Sequence, residues 1–300
     1  MKRNLEKYPE PVHRHLEYLE CCPCCESAEV ELVSDSHDIW LCRRCLVFYT
    51  NPRPSQEFII SNYSEGGHYR AFEPYDRWDR MWAKRVRRVT GRVPSGRLLD
   101  VGAGIGTPLH QFQQKGFQVE GTEISAEAVE KARSLYGIEL RRGYAEEMDF
   151  PDESFDAVTM WHVFEHLPAP GRTLVWLRGK LAPGGYLFIA VPNNSYWRVI
   201  HKPAFWFGSR ARRRELVIPL VNYSAGFSEI HVIHYTPASL RRLMEIYGFE
   251  VVDVSIDHTT LYPSPIKTVK EALRDFVARR FHIYTHNCLF LCARKPERSL

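Results

Sequence analysis

The sequence predicts an α/β fold built on a doubly wound, largely parallel sheet, with a small cysteine-rich module before it. Strand-like and helix-like segments alternate between residues 96 and 193, and such alternation is typical of βαβ units with parallel strands. Six of the eight cysteines fall between Cys21 and Cys45, outside the alternating region. The chain has 300 residues, which is enough for one α/β domain and one accessory module.

Each element has a local signature. Apolar runs predict strands at residues 97–101, 119–122, 157–161, 186–191, 249–256 and 287–293. Helices are expected at residues 107–115, 125–136, 236–247 and 266–281. The helix at 125–136 begins with Ser125, a favourable N-cap, and has Glu127 early and Arg133 late, as the helix dipole favours.

By pattern, the chain divides into three parts. Residues 1–50 hold the cysteine module, residues 51–95 a helical segment rich in Tyr, Trp and Arg, and residues 96–300 the α/β domain. The two prolines and the asparagine of residues 51–54 predict a linker. Residues 194–235 break the strand and helix rhythm with tryptophans and arginines, and we expect them to form an aromatic and basic insertion.

Composition and charge argue against several classes of protein. Apolar residues make up 44% and charged residues 25% of the chain, as is usual for globular proteins. The net charge of +4 is too small to indicate nucleic acid binding, which usually needs a clustered basic face. Residues 1–20 lack the apolar core of a secretory signal, and no stretch approaches the roughly 18 apolar residues of a membrane-spanning helix. These features predict a cytoplasmic protein.

A glycine-rich turn follows the strand at residues 97–101, and it reads Asp-Val-Gly-Ala-Gly-Ile-Gly. Gly102 is expected to have a positive φ at the end of the strand, and Gly104 to let the backbone approach a ligand closely. Gly106 is expected to let the next helix pack against the strand. The pattern indicates a nucleotide-binding turn, but it does not by itself specify the nucleotide.

Two carboxylates narrow the choice of nucleotide. Asp100 lies at the mouth of the turn, where it would repel a phosphate but suit a cationic amino-acid tail. Glu123 ends the next strand, 23 positions further on, where a carboxylate can accept both hydroxyls of a ribose. These positions favour a nucleoside with an amino-acid tail over a dinucleotide.

The glycine turn and the two carboxylates belong to a longer pattern, in which residues 96–193 resemble the class I S-adenosylmethionine-dependent methyltransferases. Residues 98–106 look like their first motif, residues 121–125 like the end of their second strand, and residues 181–185 like the turn before their fifth strand. Residues 143–156 resemble the loop and fourth strand that flank adenine. The resemblance implies a Rossmann-like methyltransferase sheet and S-adenosylmethionine as cofactor. An NAD-binding Rossmann domain is the alternative.

The resemblance also implies which residues bind the cofactor. The methionine part would lie against Asp100 and the glycine turn, the ribose at Glu123, and the adenine at Ala145 and Glu146. Two tyrosines on the N-terminal side would close over the cofactor, or else serve in ordinary packing. The full expected set is Tyr63, Tyr69, Asp100, Gly102, Ala103, Gly104, Gly106, Glu123, Ile124, Ala145, Glu146 and Trp161.

Two CxxC pairs, Cys22 with Cys25 and Cys42 with Cys45, indicate a zinc site in residues 1–50. Four thiolates are the tetrahedral ligand set of structural zinc, and they leave no open position for catalysis. The alternative is a group of reduced cysteines packed as small apolar side chains.

The first pair can be drawn in two registers, because Cys21 and Cys24 also fit CxxC. Pro23 favours the register of Cys22 with Cys25, since a proline at this position shapes the turn in familiar zinc ribbons. Many small-molecule methyltransferases open with a ribbon similar to residues 1–54. Glu26 and Leu46 stand where those ribbons commonly carry Gly, so both are expected to strain the turns.

The acceptor side of the predicted site is rich in histidine. His162, Glu165 and His166 follow the strand at residues 157–161, at a spacing that places them on one face of a helix. They could form a base with its orienting group, or part of a metal site. The alternative is that Glu165 and His166 only tie down the helix. A second segment resembles the family's acceptor-facing stretch, in which His231 takes the pocket position and His234 packs.

His162, His166 and His231 are therefore the predicted catalytic residues. The segment at 162–167 resembles the turn that binds magnesium in quinone O-methyltransferases. His162 occupies a position that is acidic in those enzymes, which argues against magnesium here. A direct displacement is expected, with most of the catalysis from positioning.

The sequence leaves the acceptor open. We expect a small molecule, such as a secondary metabolite, a sugar or a lipid-linked intermediate. The alternatives are an RNA methyltransferase, or a non-catalytic scaffold that binds the cofactor. Residues 194–235 could form a lid, contact a membrane surface, hold a phosphorylated acceptor or contact RNA, or they could be a solvated charged loop.

Overall fold

The computed structural model describes residues 14–35, 38–65, 76–195, 230–258 and 264–297. Within these ranges the helices are α1 (Gln56–Glu65), α2 (Asp76–Thr90), α3 (Thr107–Gln113), α4 (Ala126–Tyr136), α5 (Pro170–Lys180), α6 (Pro237–Ile246) and α7 (Pro265–Phe281). The strands are β1 (Leu16–Glu17), β2 (Val30–Ser34), β3 (Ile39–Cys42), β4 (Phe48–Thr50), β5 (Arg53–Pro54), β6 (Arg97–Val101), β7 (Gln118–Glu123), β8 (Arg141–Arg142), β9 (Phe155–Trp161), β10 (Leu181–Pro192), β11 (Ile233–His234), β12 (Glu250–Ile256) and β13 (Cys288–Arg294).

The main sheet has the spatial order β8-β7-β6-β9-β10-β13-β12. The first five of these strands run parallel, whereas β13 runs antiparallel to both β10 and β12. The chain order reverses between β6 and β9, so the carboxyl ends of these two strands flank a crevice. The predicted fold class is confirmed. The alternation of strands and helices did not indicate that β13 would be antiparallel, because its direction is set by its pairing with β10 and β12.

The sheet divides the core into two halves. Leu98 and Ala157 point to the face covered by α2, α3 and α4. Their neighbours Leu99 and Val158 point to the opposite face. That face is covered by α5, α6 and the cysteine ribbon, which consists of β2, β3 and β4 with the two CxxC turns. Successive strand residues point to opposite faces, so strands buried on both sides read as the continuous apolar runs seen in the sequence.

The cysteine ribbon is tied to the α/β domain by a second sheet. Strands β2, β3 and β4 form an antiparallel sheet that is extended by β11, which lies near the C-terminal end of the predicted insertion at residues 194–235. The Tyr247 hydroxyl also donates to the Cys24 carbonyl at 2.7 Å. The ribbon cysteines and the apolar side of α6 belong to one apolar cluster. The ribbon therefore shares its core with the α/β domain.

The prediction of a linker at residues 51–54 was wrong. Arg53 and Pro54 form β5, which pairs with β1, and Asn51 and Arg53 are buried. The Asn51 side-chain amide donates to the Leu19 carbonyl at 2.9 Å, and Arg53 Nη1 donates to the Pro168 carbonyl at 2.6 Å. Proline and asparagine indicate a turn locally, but these side chains are fixed by groups far away in the sequence.

Helix ends follow the local signals. The Ser125 hydroxyl accepts the Ala128 N–H at the start of α4, as the predicted N-cap requires. At the start of α6, Thr236 and Ser239 cap each other's backbone N–H groups. These caps account for how closely the predicted helices match the observed ones.

Two predictions fall outside the described residues. Tyr69 is one, and the insertion at 194–235 is described only at residues 194–195 and 230–235. Among the described helices, none combines the length and apolar character needed to cross a bilayer. The cytoplasmic location stays a prediction.

Candidate functional site

The crevice between β6 and β9 is lined by the glycine turn on one side. Gly102 has φ 71°, and the N–H groups of Gly102 and Ala103 both donate to the Thr122 carbonyl at 2.9 Å. A β-carbon at Gly102 would collide with the Val163 side chain. Gly102 is therefore required both by its left-handed backbone and by its close neighbour.

Gly106 has a different neighbour from the one we predicted. Its φ is 80°, and a β-carbon there would lie 3.1 Å from the Ala132 β-carbon in α4. The sequence predicted close packing of α3 against its own strand. The observed constraint is the approach of the next helix along the chain.

Asp100 is fully buried at the carboxyl end of β6. Its Oδ1 accepts the Thr159 hydroxyl at 2.6 Å, and its Oδ2 has no hydrogen-bond partner among the described residues. Burial is the main cause that raises the pKa of Asp100, and the nearby Glu123 adds to it; against the lowering effects of Thr159 and Arg85, the resulting pKa is about 7. An unsatisfied buried acceptor is costly, so Asp100 suits a cationic or hydrogen-bonding ligand.

Glu123 lies beside it, at the carboxyl end of β7. One carboxylate oxygen accepts the Gly104 N–H and the other accepts the Ser125 N–H, both at 2.9 Å. These two bonds fix the carboxylate at the turn, close to where the glycine backbone lies. The pair Asp100 and Glu123 can thus receive an ammonium group and ribose hydroxyls, and the residues present fit S-adenosylmethionine.

The predicted adenine residues lie further along the same edge. Ala145 is buried in a short 3-10 turn at residues 145–147. The Glu146 carboxylate accepts the Thr173 hydroxyl of α5, while Ile124 is half-buried after β7. Glu146 also lines a cavity of about 590 Å³ with Tyr144 and side chains of α5. The residues lining that cavity do not include the glycine turn, so Glu146 faces α5 rather than Asp100.

Trp161 ends β9 across the crevice from Asp100. Its ring is buried and makes an edge contact with Trp82, with ring centroids 5.9 Å apart. Its Nε1 has no hydrogen-bond partner among the described residues. The Arg85 guanidinium lies 4.6 Å from the Trp82 ring and 5.2 Å from the Trp161 ring. Trp161 therefore brings an unsatisfied donor to the crevice.

Three predicted catalytic histidines surround the buried carboxylate of Glu165. His162 Nδ1 lies 3.4 Å and His166 Nε2 4.0 Å from Glu165 Oε1. The rings of His166 and His231 are 4.7 Å apart between centroids. The structure thus brings together all three histidines, although they come from segments more than sixty residues apart.

His162 is held in one orientation by Arg85. Its φ is 57°, an uncommon value for a residue with a side chain. Arg85 Nη2 lies 2.9 Å from His162 Nε2. Because arginine only donates, Nε2 must carry the lone pair, and in the neutral ring Nδ1–H points towards Glu165. His162 therefore orients Glu165, and its own Nε2 is occupied by Arg85.

His166 is oriented in the opposite sense. Its Nδ1 lies 2.9 Å from the Ile230 carbonyl and 2.8 Å from the Tyr63 hydroxyl, and that hydroxyl accepts the Ile230 N–H. Because a carbonyl only accepts, Nδ1 must carry the proton, which leaves the lone pair of the neutral ring on Nε2. Tyr63, which we predicted to close over the cofactor, contacts this acceptor-side histidine.

The Glu165 side chain is 2% exposed, and neither of its oxygens has a hydrogen-bond partner among the described residues. Burial by itself would raise its pKa, but interactions with His162, His166 and His231 outweigh burial and lower the pKa. The ligand atoms of Glu165, His166 and His231 lie within 4.8 Å of one another. The cluster can act as base and orienting groups, or can hold a cation between carboxylate and imidazoles.

His234 lies in the core, as the sequence suggested. It is buried, and its Nε2 lies 3.2 Å from the Thr50 hydroxyl. Burial, together with the nearby His231, lowers its pKa to about 3. It therefore stays neutral and joins β11 to the ribbon.

The buried ion pair between Arg85 and Asp257 was not predicted from the sequence. Arg85 donates from Nε to Asp257 at 2.9 Å, and both side chains are almost fully buried. The same Arg85 contacts His162, so the pair supports the histidine cluster from the α2 side. A signal was present: Arg85 falls on the apolar side of α2, four residues after Met81 and four before Val89. Its place among several arginines of one helix hides this signal.

The four predicted zinc ligands form one buried group. The sulfur atoms of Cys22, Cys25, Cys42 and Cys45 all lie within 4.8 Å of one another. Cys22 Sγ and Cys45 Sγ are 3.5 Å apart, as are Cys25 Sγ and Cys42 Sγ. A zinc tetrahedron with Zn–S bonds of about 2.3 Å has sulfur atoms about 3.8 Å apart. The group fits a zinc ion, in the register that Pro23 favoured.

The two cysteine turns have the same backbone. Glu26 N–H donates to the Cys22 carbonyl, and Leu46 N–H donates to the Cys42 carbonyl, both at 2.9 Å. Glu26 has φ 57° and Leu46 φ 62°. The expected strain is therefore present, since both take the left-handed conformation that glycine adopts most easily.

Comparison with known proteins agrees with this geometry. Residues 70–254, more than half of the chain, match the family model described as methyltransferase domain. A demethylmenaquinone methyltransferase of Renibacterium salmoninarum is 32% identical over 112 residues, which are 37% of this chain and 47% of that protein. A ubiquinone biosynthesis O-methyltransferase of Alkalilimnicola ehrlichii is 31% identical over 117 residues, with the same shares. The chain thus spans about half the length of these relatives.

One solved structure shows the same fold. It is a protein of Listeria monocytogenes named as a putative S-adenosylmethionine-dependent methyltransferase, with a TM-score of 0.52 and 13% identity. The match covers 73% of this chain and 99% of that one. With the family match and the sheet order, this chain belongs to the methyltransferase domain family, among the class I S-adenosylmethionine-dependent methyltransferases.

Proposed function

We propose that this protein transfers a methyl group from S-adenosylmethionine to a small-molecule acceptor. The observation that carries the proposal is the unsatisfied buried Asp100 carboxylate beside Glu123 at the crevice. S-adenosylmethionine, when bound, supplies an electrophilic methyl group on a sulfonium. Asp100 and the glycine turn would hold its amino-acid tail, and Glu123 its ribose. Trp161 would lie against it from β9.

On the acceptor side, His166 is the best candidate for the base. Its Nδ1–H is held by Ile230 and Tyr63, so Nε2 carries the lone pair. A hydroxyl or amine that lies against Nε2 could lose its proton there, while Glu165 stabilises the resulting imidazolium. His162 would act through Glu165, and His231 would line the same pocket. Catalysis would otherwise depend on holding the acceptor in line with the methyl group.

The two relatives support a small-molecule acceptor, because one is named for demethylmenaquinone and the other for ubiquinone biosynthesis. We extend this acceptor class to the present chain as part of the proposal. An RNA acceptor is the alternative, and no observation on the described residues favours it over a small molecule. Retention on RNA that is lost as salt rises would support the alternative.

The cofactor half of the proposal is tested by the change Glu123→Gln. An amide nitrogen would face one of the two backbone N–H groups that the carboxylate now accepts, so the side chain would turn from the ribose site. Calorimetry with S-adenosylmethionine should show Kd raised by about tenfold, the effect of losing a hydrogen bond to a charged group. The matched control is Glu120→Gln on the same strand, where Glu120 pairs with Arg97 and Arg141.

The proposal fails if the wild-type chain does not bind S-adenosylmethionine. It also fails if Glu123→Gln and Glu120→Gln have the same affinity as the wild type.

The acceptor half is tested by His166→Gln. Loss of the base should lower the rate of S-adenosylhomocysteine formation on the order of 100-fold, with an unchanged Kd for S-adenosylmethionine. Short-chain phenolic precursors of ubiquinone and menaquinone serve as acceptors. Added imidazole should restore part of the rate in this variant. The control is His282→Asn, an exposed residue at the end of α7. A full rate in His166→Gln would remove His166 from the mechanism.

A further inference from the structure

Helix α7 presents an apolar stripe to solvent. Ile266, Val269, Leu273 and Phe276 are exposed by 69%, 68%, 61% and 59%. Their spacing of three and four residues places them on one side of the helix. Single exposed apolar residues are ordinary on protein surfaces, but a continuous row of large ones usually marks a contact with an apolar partner.

The opposite side of α7 faces the protein and holds both of its acidic residues. Glu271 Oε2 lies 3.1 Å from Lys84 Nζ, and Asp275 Oδ1 lies 2.8 Å from His258 Nε2. Ala278 on this side is buried. The acidic charges of the helix are therefore compensated where it meets the domain.

The outer part of α7 is basic. Lys270 flanks the apolar stripe on one side and Arg279 on the other, and Arg280 lies at its C-terminal end. All three are exposed. An apolar stripe bordered by lysine and arginine is the pattern of helices that lie in the plane of an anionic membrane surface. A second protein surface of ordinary composition would not need this basic border.

The position of α7 gives this surface a role. The helix lies in the connection between β12 and β13, and β12 runs in the same direction as β10. The connection therefore leaves the sheet at the edge where β6 and β9 end, which is the edge of the candidate site. Asp257, at the end of β12, is linked through Arg85 to His162. The stripe and the histidine cluster thus belong to the same edge of the domain.

We propose that α7 docks this protein on an anionic lipid bilayer and that its methyl acceptor is a lipophilic molecule drawn from that bilayer. The acceptor part rests on the proposed methyl transfer, whereas the docking part does not. The apolar stripe would enter the interface between headgroups and acyl chains, and the flanking basic residues would contact anionic headgroups.

Co-sedimentation with lipid vesicles tests the docking. Wild-type protein should bind vesicles of equal parts phosphatidylglycerol and phosphatidylcholine, and bind phosphatidylcholine vesicles far more weakly. The double variant Leu273→Ser/Phe276→Ser should lose roughly tenfold in binding for each side chain. Lys270→Ala and Arg279→Ala should each lose about fivefold, and less at high salt. The control is Leu135→Ser, an exposed leucine on α4.

Three results would overturn the docking. One is wild-type binding no stronger to the mixed vesicles than to phosphatidylcholine. Another is equal binding by the double variant and the Leu135→Ser control. The third is a wild-type protein that is a dimer in solution and does not bind vesicles, while the double variant is a monomer. The stripe would then be the contact with a second copy of the chain. Calorimetry with S-adenosylmethionine in the absence of lipid checks that each variant is folded, and it tests the proposed function separately.

Discussion

Replacing Cys42 by serine is expected to unfold the ribbon and to lower the thermal stability of the whole chain. The four thiols form one buried group, and binding of structural zinc to such a group supplies folding free energy that the unfolded chain cannot obtain. Loss of one ligand should cost on the order of 5 kcal/mol. The cost should spread beyond the ribbon, because its cysteines pack in the same apolar cluster as α6.

The measurement combines elemental analysis with thermal unfolding. Wild-type protein should contain one zinc per chain, and a chelator should lower its Tm towards that of Cys42→Ser. The control is Cys21→Ser, which removes a thiol next to Cys22 that is not part of the four-sulfur group. Well under one zinc per chain, together with equal Tm values for the two variants, would show that the cysteines serve only as packed side chains.

Asp100→Asn is expected to stabilise the free protein at alkaline pH while weakening the binding of S-adenosylmethionine. The pKa of Asp100 is about 7 in the folded chain, against 3.8 as its ordinary value. A raised pKa in an acid means that the folded state binds the proton more tightly. Its contribution to stability is therefore full below pH 3.8 and is lost as pH rises to about 7. The loss amounts to about 4 kcal/mol, which the amide would avoid.

The same ionisation predicts how cofactor binding depends on pH. A cationic tail needs the Asp100 carboxylate, so affinity for S-adenosylmethionine should rise as pH rises from 6 to 8. Asp100→Asn should lose this dependence and bind on the order of 100-fold more weakly, because the charge is absent. Calorimetry and thermal unfolding across this pH range measure both effects.

The control for Asp100→Asn is Asp149→Asn, which removes the same charge from an exposed residue. It should leave both pH profiles unchanged. A parallel fall in stability with pH in wild type and Asp100→Asn would mean that another group causes the dependence.

Much of the candidate site was visible in the sequence because its determinants are local. The glycine turn needs backbone conformations that glycine supplies, and its carboxylates sit at the ends of strands that apolar runs reveal. The cysteine pairs are similar, since a CxxC turn is built within four residues. The structure brings Asp100, Glu123 and the glycine turn together as these patterns predicted.

Other features depended on contacts between distant segments. The sequence pattern made residues 51–54 a linker, but Arg53 is fixed by the carbonyl of Pro168. The sequence pattern did not single out Arg85, whose side chain contacts Asp257 and His162. Tyr63 was expected at the cofactor, and the structure shows its hydroxyl against His166. In each case the partner is more than seventy residues away, so no local pattern could name it.

The sequence by itself determined the class of sheet, the register of the cysteine pairs and the position of the nucleotide turn, because periodicity, turn chemistry and ligand spacing act over a few residues. Only the tertiary structure decided how the three histidines are arranged around Glu165, which ring nitrogen of His162 and of His166 carries the proton, and that the apolar stripe of α7 faces outward. Those properties follow from which buried groups meet across the fold, and burial and charge compensation are set by the whole chain.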